Sequence, residues 1–155
     1  MSKSIPLTQG KVAIVDDEDY ERVSQFKWCV WRAHNLCYAM RRVPASHPAT
    51  IWLHRFILDA PRGKHVDHIS GDGLDNRRSN LRLCCHAENV RNQRKRKGSS
   101  RFKGVSWHKG TRKWTAKICT AYHRIELGYF SSEDDAYAAY CEASAKYHGE
   151  FGRTA

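Results

Sequence analysis

A chain of 155 residues has room for one ordinary domain or two small ones around a modest core, and two small units is the reading adopted here. Its 27 Lys and Arg against 16 Asp and Glu leave a formal charge of +11, distributed unevenly: residues 77–117 hold fourteen basic side chains and one acid, Glu88, whereas residues 16–21 hold five acids. That asymmetry points to a polyanion held against the middle and C-terminal half, and with no long apolar run, signal-peptide core, amphipathic basic helix or lipidation motif visible, nucleic acid is the expected partner ahead of a membrane surface. Cysteines at 29, 37, 84, 85, 119 and 141 contain no Cys-x-x-Cys pair, so a zinc knuckle of local spacing is excluded. They are expected as reduced thiols, with a structural ion built from dispersed Cys and His left open.

In chain order, residues 5–58 predict a mixed α and β scaffold. A short apolar run, Val12–Val15, precedes an acidic helix with Tyr20, Val23 and Phe26 on one face. Two strands follow, Lys27–Ala33 and Leu36–Val43, joined by a tight turn at His34-Asn35. Pro44 and Pro48 break the pattern before Ile51–Leu58, and Arg32, Arg41 and Arg42 are candidate DNA contacts. Residues 62–93, crowded with Gly, Asp, Asn, Arg and His, suit a site better than a core. A strand is expected near Lys64–Ile69, a second near Leu81–Cys84, and a helix from about His86.

Residues 94–100, Arg94-Lys95-Arg96-Lys97-Gly98-Ser99-Ser100, are charge-rich and predict a linker. Three strand-sized runs then appear, Phe102–Lys109, Lys113–Thr120 and His123–Phe130, divided by Gly110-Thr111-Arg112 and Ala121-Tyr122. Residues 132–148 predict a helix with Ser132 as its cap, acids in its first turn and Gly149 beyond its end. Ala136, Ala139, Tyr140, Ala143 and Tyr147 form a mostly small stripe that lets this helix lie close to one sheet face, leaving the other free for a ligand. Trp114 and Phe130 read as core, and Trp107 is open between core and DNA contact.

The segment His65-Val66-Asp67-His68-Ile69-Ser70-Gly71-Asp72-Gly73-Leu74-Asp75-Asn76-Arg77-Arg78-Ser79-Asn80-Leu81-Arg82-Leu83, with His86-Ala87-Glu88-Asn89 after it, resembles the HNH nuclease family. The match lies in the Asp-His pair, the Asn twelve residues after that His, its Asn-Leu-Arg continuation and the Asn nine residues further on. Phosphodiester hydrolysis needs a water made nucleophilic near neutral pH, which an imidazole can deprotonate, and a hard divalent cation to stabilise charge on the phosphoryl and leaving oxygens. The resemblance makes His68 the general base and Asp67 and Asn89 the oxygen ligands of Mg²⁺, with Mn²⁺ as a substitute. It also makes Asn80 the residue that fixes the loop and orients His68. In a regular strand Asp67 and His68 would face opposite sides, so the strand must end or twist there. His54, His65 and His86 are read as ordinary surface histidines.

Residues 101–151 resemble the Apetala/ethylene-response-factor DNA-binding domain, on "FKGVSW", "KWTAKI", "RIELGYF" and the helix "SSEDDAYAAYCEASAKYHGEF". That resemblance implies a three-stranded sheet in the major groove, with Lys103, His108, Lys117 and Arg124 at DNA and Trp107, Lys109, Lys113 and Trp114 close by. On charge alone, Arg94, Lys95, Arg96 and Lys97 of the linker are further candidate DNA contacts. Ser106, Lys117, Cys119 and Glu126 stand where the plant regulators carry Arg, Glu, Arg and Trp, so sequence preference does not transfer.

The expected fold class is therefore α+β: residues 1–93 form an N-terminal mixed region (1–58) with a ββα-metal HNH motif (62–93). A basic linker, 94–100, leads to a small antiparallel sheet packed on one C-terminal helix in 101–155. The expected function is a homing-type endonuclease acting on double-stranded DNA in the cytoplasm of a bacterium or phage-infected cell, at the nucleoid, with a monomer as the default state. A non-catalytic DNA-binding regulator is the alternative, and an RNA-directed protein is a third.

Overall fold

The computed structural model describes residues 1–33, 36–43, 49–95, 97–120 and 123–154. The expected turns at His34-Asn35 and Ala121-Tyr122, the prolines Pro44 and Pro48, and Arg96 lie outside the described residues. The chain divides into two compact units, Met1–His86 and Ala87–Ala155. Its class is α+β, with small antiparallel sheets and a C-terminal helix. No helix among the described residues is long and apolar enough to cross a membrane.

The first unit opens with β1 (Ser2–Pro6) paired antiparallel to β2 (Val12–Asp16), where the period-2 pattern buries Ala13 and Val15 and leaves Val12 and Ile14 outside. Helix α1 (Asp17–Ser24) follows at once, with Asp17, Glu18 and Asp19 in a first turn whose unpaired N–H groups favour negative charge. Strands β3 (Cys29–Ala33), β4 (Leu36–Arg42) and β5 (Thr50–Trp52) form an antiparallel sheet in that order. The run predicted from Ile51 then becomes helix α2 (Leu53–Ile57), whose Leu53 and Ile57, four residues apart, are both fully buried.

A two-stranded ribbon, β6 (His65–His68) with β7 (Leu81–Cys84), comes next in the chain, followed by α3 (His86–Asn92). The core draws on every layer of the first unit: Ile5, Val15, Val23, Trp28, Leu53, Ile57, Val66 and Leu81 among others. Trp28 satisfies its indole N–H on the carbonyl of Val23 at 2.9 Å, which lets the ring be buried without an unpaired donor.

In the second unit β8 (Val105–His108), β9 (Lys113–Cys119) and β10 (Arg124–Phe130) form a sheet in the order β10-β9-β8, and α4 (Glu133–His148) covers one face. Ser132 caps α4 by accepting from the amides of Asp134 and Asp135. The buried helix stripe is Ala136, Tyr140 and Ala143 against Ala116 and Ile118. Small residues allow a close approach, and at Gly104 it is closest: a Cβ there would lie 2.1 Å from the Tyr140 ring, on a backbone with φ of +75°. The end of the basic segment belongs to this packing as well. Buried Ser100 donates to the Glu133 carboxylate at 2.7 Å and accepts from the Phe102 amide at 2.9 Å.

Candidate functional site

Strand β6 ends at His68, and the chain turns immediately, with the Gly71 amide bonded to the His68 carbonyl at 2.8 Å and Gly71 at φ +74°. Asp67 and His68 both keep the regular register of β6, opposite Arg82 and Leu81, so they alternate in facing and the chain breaks only after His68. The loop to β7 is held at several points. Asn80, 7% exposed, spans it: its Oδ1 accepts from the Ser70 amide at 2.9 Å and its Nδ2 donates to the Asp75 carbonyl at 2.7 Å. Asp72 and Asp75 accept from backbone amides two residues on, in the manner of Asx turns. The other side of the loop is sewn to β2, where Ile14 bonds Leu74 and Asn76 through their backbones at 2.9 and 2.7 Å.

The acids of α1 answer the loop's own cations. Asp19, 3% exposed, takes a bidentate bond from Arg78, both contacts at 2.8 Å, and Asp16 accepts from the Arg78 amide at 2.7 Å. The acidic cluster visible in the sequence is thus partly a clamp on the loop rather than a separate surface.

His68 is buried, with its ring 5.0 Å from that of His54 and 5.8 Å from that of Tyr38. Its Nε2 lies 3.4 Å from Oδ1 of the fully buried Asn76, whose Nδ2 faces the Gly73 carbonyl at the same distance. With the amide in that orientation, Asn76 Oδ1 is placed to accept from a protonated Nε2. Burial pushes the His68 imidazole below its usual range, against an opposing pull from Asn76 and the carboxylates of Asp67, Asp72 and Asp75. A neutral imidazole is the form that can accept a proton. His54 is held neutral more strongly, lowered to about 3 mainly by burial and then by His68 and Arg55, and its Nδ1 is buried with no hydrogen-bond partner among the described residues.

Asp67 is 5% exposed and stands opposite Arg82 in the ribbon, so its Oδ2 accepts from Arg82 Nε at 2.9 Å and Nη2 at 2.8 Å. Its charge also reaches Tyr38, whose phenol is pushed up mainly by burial and then by Asp67. Among the described residues no group of three or more His, Cys, Asp or Glu side chains is gathered as a metal cage. Asp67 offers one buried carboxylate, an oxygen donor of the kind a hard divalent ion takes when its remaining ligands are water and phosphate, rather than a cage for a tightly bound resident ion. Asn89 is half-buried on α3, in the second unit.

In the second unit, Arg94, Lys95, Lys97, Lys103, Lys117 and Arg124 line one open pocket of about 530 Å³. Arg94, Lys97 and Arg124 are exposed there. Lys117 pairs with Glu126 at 2.9 Å across the strands. Lys103 is turned inward: its ammonium donates to the carbonyls of Arg91 and Gln93, and burial lowers its pKa. It serves the C-terminal end of α3, where carbonyls lack intrahelical partners.

Register separates the remaining candidates. His108 sits opposite Lys113 on the face away from α4, its Nδ1 accepting from the Thr111 amide at 3.1 Å and its ring 5.4 Å from Tyr129. Trp107 stands opposite Trp114, 5.2 Å ring to ring, and so shares the α4 side of the sheet. Lys109 and Lys113 are exposed. Of the arginines expected in the N-terminal half, Arg32 and Arg42 are exposed, but Arg41 lies 3.8 Å above the Phe26 ring and 5.8 Å from Trp28. Its guanidinium serves that aromatic cluster and is not offered to a ligand.

Sequence reasoning took His54 for a surface histidine, whereas the fold sets its ring against His68 with Nδ1 buried, and it gave no role to Asn76, Tyr38 or Arg82. Asn76 lies inside the quoted motif and Arg82 directly follows its Asn-Leu pair, so only the register that sets Arg82 against Asp67 was missing. His54 and Tyr38 are 14 and 30 residues upstream of His68 and carry no local signal.

The protein segment holding this loop is not isolated among known sequences. Residues 59–91 match the model of a family described as HNH endonuclease, which supports a nuclease acting on DNA. The "Protein 3.8" of Escherichia phage T7 is 31% identical over 96 residues, which are 60% of this chain and 77% of that protein. No solved structure matches. With that identity over more than two thirds of the phage protein, the chain belongs to the family of phage T7 Protein 3.8, and it carries the HNH endonuclease segment at residues 59–91.

Proposed function

We propose that the protein is a metal-dependent DNA endonuclease of the HNH homing type, cutting double-stranded DNA with His68 as general base. The observation that carries this reading is the buried Asp67-His68 pair at the abrupt end of β6, with the loop beyond it pinned by Asn80, inside the HNH-matched segment. Neutral His68 takes the proton of the attacking water. Asn80 holds the loop that fixes this ring. Asp67 and Asn89 would hold Mg²⁺, or Mn²⁺ in its place, and Arg82 shares the Asp67 carboxylate. The ion, when bound, supplies Lewis-acid stabilisation of charge on the phosphate and leaving oxygen.

The exposed cations of the basic pocket, together with Lys109 and Lys113, grip phosphates. The sheet of 101–155, resembling the Apetala/ethylene-response-factor domain, lengthens the footprint by its uncovered face, and Arg94–Lys97 act as a basic tether. On this reading the protein works at DNA in the cytoplasm.

The test is incubation of purified protein with supercoiled plasmid, with and without Mg²⁺, beside His68→Ala at matched DNA occupancy. Metal-dependent nicking or linearisation that disappears in the variant is expected. Firm binding without cleavage, repeated with Mn²⁺ and varied DNA, would instead establish a non-catalytic DNA-binding regulator.

A further inference from the structure

We propose that the aromatic side chains running outward from His68 form a stacking site for one unstacked nucleobase of the DNA strand that His68 addresses. This inference rests on the nuclease reading above. The rings are contiguous. From His68 the next ring is Tyr38 at 5.8 Å, and Tyr38 in turn lies 6.1 Å from Trp31 and 6.2 Å from Trp52. Trp31 and Trp52 meet edge to face at 5.2 Å. Exposure rises along the series: His68 is buried, Tyr38 and Trp52 are half-buried, and Trp31 is 41% exposed.

Core packing does not account for this cluster. In the β3-β4-β5 sheet, Val30 and Ala39 are paired and buried in the core, whereas Trp31 and Tyr38 are the next pair and point to the other face. Met40 opposite Trp52 lies on the same side. An outer sheet face carrying two tryptophans and a tyrosine, one of them well exposed, is a surface with an occupant.

The occupant is indicated by what adjoins the rings. Their inner end is the imidazole proposed to act on a phosphodiester, and on the same sheet face, one position beyond the Met40–Trp52 pair, Arg42 is exposed at the end of β4. A nucleotide supplies the two complementary parts, a flat apolar base for the rings and a phosphate for the guanidinium. Base-to-aromatic stacking tolerates any sequence, because every base has a π-face. Tyr38 is fixed in place from behind: a Cβ on Gly73 would lie 2.5 Å from its ring, so the platform and the His68 loop are packed directly on each other.

The experiment measures binding of the full chain to a fluorescein-labelled single-stranded DNA oligonucleotide and to a fully abasic strand of the same length, in EDTA so that nothing is cleaved. Trp31→Ala is expected to weaken binding to the base-bearing strand by roughly 5- to 150-fold, the range for one lost stack. It should leave the abasic strand unaffected, and Trp31→Phe, which keeps a ring, should bind within about two-fold of the natural chain. Equal weakening on both strands, or none on either, overturns the proposal. A base-dependent loss in a protein that fails the plasmid test would sink the nuclease reading and leave the stacking site. Cleavage without base dependence would do the reverse.

Discussion

Truncating Asn80 to Ala removes two hydrogen bonds that close the loop after His68, one from the Ser70 amide at 2.9 Å and one to the Asp75 carbonyl at 2.7 Å. A buried group stripped of its partner costs about 1–3 kcal/mol, and an exposed one that water can reach costs less. Ser70 is exposed and Asp75 half-buried, so the expected loss is about 2 kcal/mol in all. In a unit the size of Met1–His86 that lowers the melting temperature by roughly 8–16 °C. Amide hydrogen exchange resolves the two bonds. Ser70 should lose protection in Asn80→Ala but keep it in Asn80→Asp, whose carboxylate still accepts from Ser70 while having no donor for Asp75. Both variants should be slower in cleavage, since both loosen the loop that fixes His68. Protection at Ser70 that survives in Asn80→Ala would refute the reasoning, because the amide would then not depend on that side chain.

Other consequences follow from burial and charge. Gly104→Ala places a Cβ against Tyr140 at positive φ and is expected to destabilise the second unit by about 3 kcal/mol. Gly63→Ala, also at positive φ but with open space around it, should cost only about 1–2 kcal/mol, and equal urea midpoints for the two would contradict the packing argument. Asp19→Asn uncouples a buried carboxylate from Arg78 and Arg22, whose side chains are 42% and 39% exposed. Because both guanidiniums can rehydrate, the loss should be about 2 kcal/mol, less than for a fully buried pair; no change in the urea midpoint would remove the clamp from the account. Histidine burial sets an acid limit. With a folded value of about 3 for His54 against about 6.5 unfolded, its contribution is intact above pH 6.5 and is lost progressively as pH falls, by up to about 1.4 kcal/mol per unit. His68, also lowered, acts in the same direction. A denaturation midpoint unchanged between pH 7.5 and 5 would show that His54 is not buried as a neutral ring.

Much of the second unit could be read directly from the chain because local rules decide it. Three β-patterned runs, a serine ahead of three acids and a glycine after Lys146 and His148 specify three strands and a capped helix whatever they pack against. The Asp67, His68, Asn80 and Asn89 spacing was equally plain, since a polar loop of fixed length between two short strands is a local object. Ser2–Pro6 was not recognised as a strand, having little apolar pattern of its own, and it is a strand because Val12–Asp16 pairs with it.

Charge was the poorest guide. Counted along the chain, Lys103, Arg41 and Arg78 are indistinguishable from Arg94 or Lys109, yet the first three are spent on helix carbonyls, an aromatic cluster and a buried aspartate. Only the fold decides which cations are neutralised internally and which face outward. The same holds for His68: the sequence supplies an imidazole beside a carboxylate, but its burial and its neighbours Asn76, His54 and Tyr38 come from strand register and from elements far apart in the chain. Residue types and short spacings are encoded locally, whereas an environment is made by whichever distant side chains the core brings against them.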